Sequence, residues 1–148
     1  MKTYAHKDLR YSIPLFSWLC LLWFGSGDRF SWQETAHWFG KVFFVSMSGS
    51  QISEWIHFCF RKAGHFVCYA MLSYLCLVAI DQTWNLSRKY RPKIAALIIV
   101  CCIFFAGIDE WRQSFTIYRS SSIFDVLIDG MGIIAVQSFF SLRGSQSR

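Results

Sequence analysis

The chain has 148 residues, enough for one modest domain, with 54% hydrophobic residues, only 16% charged residues and a formal net charge of +6. So low a charged fraction, together with 15 Phe, 7 Trp and 6 Tyr, argues against a soluble globule and for a membrane protein with aromatic interfacial belts. Positive cytoplasmic loops account for the net charge, and no basic stripe interleaved with stacking aromatics lies in a polar segment, so a nucleic-acid partner is set aside.

Residues 1–10 are polar and carry Lys2, Lys7 and Arg10. An apolar run from Ile13 to Phe24 follows, with Pro14 placed as in a first helical turn. A basic start, a short apolar core and then Gly25-Ser26-Gly27 also suit a signal peptide. The cleavage pattern is poor and three further spans follow, which favours a retained first span over residues 13–27. Such a span covers only about 22 Å, so the bilayer would thin around it.

Residues 28–60 are too polar to span. Ser31-Trp32-Gln33-Glu34 has a capping-box pattern, and Trp32, Ala36, Phe39, Phe43 and Met47 then form one apolar stripe. This predicts an amphipathic helix, lying in the interface or packed on the bundle.

A second helix is expected from about Gln51 to Ile80, with residues 63–80 in the membrane. In its first half Glu54, His57, Arg61, His65 and Tyr69 share one face. A short basic turn with Arg88, Lys89, Arg91 and Lys93 follows. The third span is placed at residues 94–110, after Pro92, and the fourth at residues 123–142. The expected fold class is therefore all-α: an integral membrane bundle of four transmembrane helices, with an amphipathic segment between spans one and two.

Counting basic residues orients the bundle. With the N-terminus inside, residues 2, 7, 10, 88, 89, 91, 93, 143 and 148 lie inside and 29, 41, 61, 62, 112 and 119 outside. The bias places both termini in the cytoplasm. It also brings His65, Asp109, Glu110, Asp125 and Asp129 to one depth, near the outer headgroups. Ionisable groups within apolar helices are costly and mark functional sites by default.

Five of the six cysteines lie inside apolar runs, no CxxC occurs, and neither HExxH nor paired histidines at ligand spacing are present. No metal or other cofactor is expected. The catalytic candidates are His65, Asp109 and Glu110, with Asp109 orienting the histidine. The substrate-binding candidates are Arg61, Lys62, Tyr69, Gln113, Arg119, Asp125 and Asp129, with Arg61, Lys62 and Arg119 suited to a phosphate. Each also has a structural reading. Asp125 fits a capping box with Ser122, and the acids and bases together could form a self-neutralising network. Gly130 and Gly132 suit close helix packing in lipid.

These residues resemble the VanZ-like membrane family, which includes a glycopeptide-resistance protein. The resemblance rests on Arg61-Lys62-Ala63-Gly64-His65-Phe66 with Tyr69, then Asp109-Glu110, Gln113 and Phe115, then Arg119, then Asp125, Asp129 and Gly132, and it covers about residues 61–136. The sequence departs from the family at Ile117-Tyr118 before Arg119, at Asp129 where Asn is common, and at Val136 where a second small residue is common. The resemblance implies a single VanZ-like domain over residues 1–148 in a bacterial cell envelope, linked in one branch to teicoplanin susceptibility. It implies no settled chemistry. The expected partner is a membrane lipid or a lipid-linked wall precursor. The alternatives are a non-enzymatic scaffold whose charges are structural, and a metal-dependent hydrolase.

Overall fold

The computed structural model describes residues 9–25, 51–84, 91–115 and 122–146. The four helices are α1 (Leu9–Gly25), α2 (Gln51–Trp84), α3 (Arg91–Gln113) and α4 (Ile123–Gln146). All regular structure among the described residues is helical. The expected amphipathic stripe of residues 32–47 lies outside the described residues, as does Arg119.

Three helices contain segments long and apolar enough to cross a membrane: Phe58–Thr83, Arg91–Gln113 and Ile123–Leu142. This is the composition of a multi-pass membrane protein. Their outer faces carry Val67, Val100, Phe104, Leu127, Met131 and Phe139, all exposed, as lipid contact allows. The fourth helix, α1, has 17 residues and so rises about 25 Å, less than the roughly 30 Å of a hydrocarbon core.

Pro14 departs from the expectation of a helix start. It lies inside α1, which begins at Leu9. Its missing N–H leaves the Arg10 carbonyl without its usual intrahelical donor, a defect that membrane helices tolerate. Helix α1 is tied to α2 where the Trp18 indole N–H donates to the Cys68 carbonyl at 3.1 Å.

Helices α2 and α4 pack most extensively, run parallel and are joined through the antiparallel α3. Their register is regular. Arg61 meets Asp125, His65 meets Asp129 and Ser73 meets Gln137, in each case 64 residues apart. Both members of each pair advance in steps of four or eight, so the two stripes stay in step along the contact. Between them Gly132 brings the α4 backbone onto that of α2. A β-carbon there would collide with the Phe66 carbonyl oxygen and lie 3.3 Å from the Ala70 nitrogen. Gly130 is different, its nearest neighbour being Ile103 Cδ1 at 4.0 Å. The close approach expected of both glycines thus belongs to Gly132 alone. Leu22, Tyr69, Leu72, Ile98, Cys102, Ala106 and Ile133 form the apolar core beneath the charged end.

Candidate functional site

The start of the α2 span, the end of α3 and the start of α4 meet at one end of the bundle. There the chain buries four carboxylates. Asp125 and Asp129 are each 1% exposed, Asp109 3% and Glu110 6%. Carboxylates this far from water require partners.

Asp125 takes two cations. Arg61 Nη2 lies 2.9 Å from Oδ2, and Lys62 Nζ bonds Oδ1. Because Arg61 and Lys62 are adjacent on α2, both reach the same carboxylate. They differ in access: the Arg61 side chain is 35% exposed and that of Lys62 14%. Lys62 also lies over the Phe58 ring, 5.0 Å from its centroid.

One turn further along, His65 Nδ1 faces both oxygens of Asp129, at 3.1 and 3.4 Å. A carboxylate acceptor selects the tautomer with its proton on Nδ1, which leaves Nε2 as the ring's basic nitrogen. The orienting acid is therefore Asp129. Asp109, expected in that role, is held elsewhere. It accepts from Gln113 Nε2 at 2.9 Å, from Arg112 Nη2 at 3.1 Å and, through a long bond of 3.5 Å, from the Tyr69 hydroxyl. The reason is rotational. Asp109 shares a face of α3 with Gln113, and that face packs on Tyr69.

Glu110 has a different task. Ser122 precedes α4 as its N-cap. Its hydroxyl accepts from the Phe124 N–H at 3.3 Å and its carbonyl from the Asp125 N–H at 2.8 Å. In a closed capping box the third residue, here Asp125, would return a bond to the cap's own N–H. Asp125 is turned to the α2 cations instead, and the Ser122 N–H donates to Glu110 Oε1. A carboxylate from α3 thus completes the cap of α4, where the helix dipole favours negative charge.

All the described candidates gather at this end: Arg61, Lys62, His65, Tyr69, Asp109, Glu110, Gln113, Asp125 and Asp129. The sequence reading stopped the α2 stripe at Tyr69. One more step of four reaches Ser73, whose hydroxyl donates to the Ile133 carbonyl at 3.3 Å and accepts from Gln137 Nε2 at 2.8 Å. Trp23 was also missed. It carries the Arg112 guanidinium over its ring at 4.8 Å and so brings α1 to the edge of the site. Among the described residues, no three of His, Cys, Asp and Glu are grouped as metal ligands would be.

A family model described as VanZ/LLP1 matches residues 11–143, most of the chain. The chain belongs to the VanZ/LLP1 family. No match is found among curated proteins or among solved structures. The VanZ/LLP1 match takes in all four described helices, from the apolar part of α1 to the end of the α4 span, and hence every residue of the charged end.

Glu110 separates capping from chemistry within this VanZ/LLP1 site. Glu110→Gln keeps an oxygen that can accept from the Ser122 N–H, whereas Glu110→Ala removes it. The glutamine variant is expected to lose less than about 1 kcal/mol and the alanine variant about 1–2 kcal/mol, the cost of a part-buried cap donor left without its acceptor. Thermal unfolding in detergent, followed by tryptophan fluorescence, checks the order.

Proposed function

We propose that this protein is a multi-pass component of a bacterial cytoplasmic membrane that binds or modifies the headgroup of a lipid or lipid-linked wall precursor. In this reading α1 is a fourth span, both termini are cytoplasmic and the charged end faces outward. Glycopeptide susceptibility is the cellular property it would influence.

One observation carries the reading. A half-buried histidine is held through Nδ1 by Asp129, with Nε2 left as a base, where the start of the α2 span meets the end of α3 and the start of α4. His65 would accept or return a proton through Nε2, with Asp129 fixing the ring, and Glu110 would serve as the second acid or base through the carboxylate oxygen not bonded to Ser122. Arg61 is the cation suited to swing toward a phosphate. It is the more exposed of the pair, and Lys62 would keep Asp125 neutralised as it left. Arg119, which falls between α3 and α4 in the sequence, would add a second forked donor.

The test uses conservative variants. His65→Asn offers an amide N–H where Nδ1–H stands but supplies no base. His65→Asn, Glu110→Gln and Arg119→Ala are expected to reach the membrane folded and to lose the glycopeptide phenotype. Lipid and wall-precursor profiles of strains carrying them should match those of a strain lacking the protein. Wild-type behaviour from all three would reject the proposal.

A structural reading also has a specific observation behind it: each of the four buried carboxylates has a partner. If the cluster only locks the bundle, these variants lower the amount of folded protein and leave the phenotype per folded molecule unchanged.

A further inference from the structure

An apolar groove of about 280 Å³ lies between α1 and α3, lined by Leu19, Cys20, Trp23, Phe24 and Phe105. It does not coincide with the charged cluster, yet the two share walls. Phe105 meets the Tyr69 ring at 6.4 Å and the Trp23 ring at 6.3 Å. Trp23 in turn carries the Arg112 guanidinium, which bonds Asp109.

The groove is also polarised. Helix α3 runs from Phe105 to Arg112 toward the charged end, and α1 reaches the same end at Trp23. Its deep part, at Leu19 and Cys20, is hydrocarbon-like. Its upper rim offers an indole, a guanidinium and, one step further in, the buried carboxylates. An amphiphile has the same order of parts.

We propose that the groove seats one hydrocarbon chain of the lipid whose headgroup meets the cluster. This rests on the reading above and narrows its substrate to a molecule still anchored in the bilayer. Arg112 is the cation at this rim: it bonds Asp109 while its side chain stays 28% exposed, and a headgroup phosphate would meet the exposed part of the guanidinium. The chain itself gains little free energy, because it leaves one hydrocarbon environment for another. The groove therefore sets the lateral position of the headgroup, and headgroup contacts supply the affinity.

The experiment uses the full chain in vesicles of phosphatidylethanolamine and phosphatidylglycerol with a diazirine in one acyl chain. After irradiation, cross-links mapped by mass spectrometry are expected to be several-fold denser at Leu19, Cys20 and Phe105 than at Met131 and Phe139, which face outward from α4. Cys20→Trp, which fills the groove, is expected to remove the excess at Leu19 and Phe105 without altering labelling of α4. Even labelling of all these positions, or an excess unchanged by Cys20→Trp, overturns the proposal. The outcome is separable from that of the headgroup reading. Groove labelling with an unaltered phenotype in the His65 and Glu110 variants rejects only the chemistry, and loss of phenotype with even labelling rejects only the groove.

Discussion

Asp125→Ala is expected to destabilise the protein by about 3–5 kcal/mol, the usual effect of removing one side of a buried ion pair. Arg61 and Lys62 would then face each other with no counter-charge between them. The reverse deletion should be mild. Arg61→Ala leaves Lys62 on Asp125 and removes a side chain already 35% exposed, for which about 1 kcal/mol or less is expected. Unfolding in mixed micelles measures the asymmetry. Equal losses from the two variants would mean that Asp125 does not anchor the pair.

Gly132→Ala should have the next largest effect, opposite in sign to what helix propensity alone predicts. Alanine in place of glycine normally favours a helix by about 0.5–1 kcal/mol. At Gly132 the new carbon meets backbone, which cannot rotate away as a side chain could. Helix α4 must move off α2, stretching the His65–Asp129 and Ser73–Gln137 bonds together. A net loss of about 1–3 kcal/mol is expected from overpacking, and more if those bonds break. Gly64→Ala and Gly107→Ala are the controls. A carbon at either meets nothing within 4 Å, so the propensity gain should appear. Measured unfolding free energies that rank Gly132→Ala with its controls would contradict the close approach.

These results also mark what could be read from the chain alone. The gathering of polar groups at one depth follows from the alternation of span direction, and three helices carry long apolar segments, Phe58–Thr83, Arg91–Gln113 and Ile123–Leu142, where the second to fourth spans were expected. Partner choice was not legible. Spacing of three and four fixes which residues share a face of one helix, but not the rotation of one helix against another. That rotation decides that Asp129, and not Asp109, meets His65. It also frees Asp125 from its capping box and sends Glu110 across to Ser122. The two glycines posed the same problem: two residues apart, they point to nearly opposite sides of α4, and its rotation puts Gly132 against α2 and Gly130 toward Ile103 of α3. Ser73 and Gln137 were within reach, because both continue a four-residue step already under way.

The 64-residue separation between Arg61 and Asp125 bears on how the protein is made. At about 5–20 residues per second, several seconds pass between synthesis of the α2 cations and arrival of the acids that neutralise them. During that interval α2 has an arginine, a lysine and a histidine near one end of its span and no carboxylate from α4 to receive them. Long basic side chains can wait by reaching to the headgroups, which keeps this end of α2 at the surface until α4 inserts. In chain order the acidic helix thus arrives after the basic one, and its carboxylates are the partners that the α2 cations have been waiting for. A nascent chain halted before Ile123 would be left with its cations in the interface, marked by charge as unfinished.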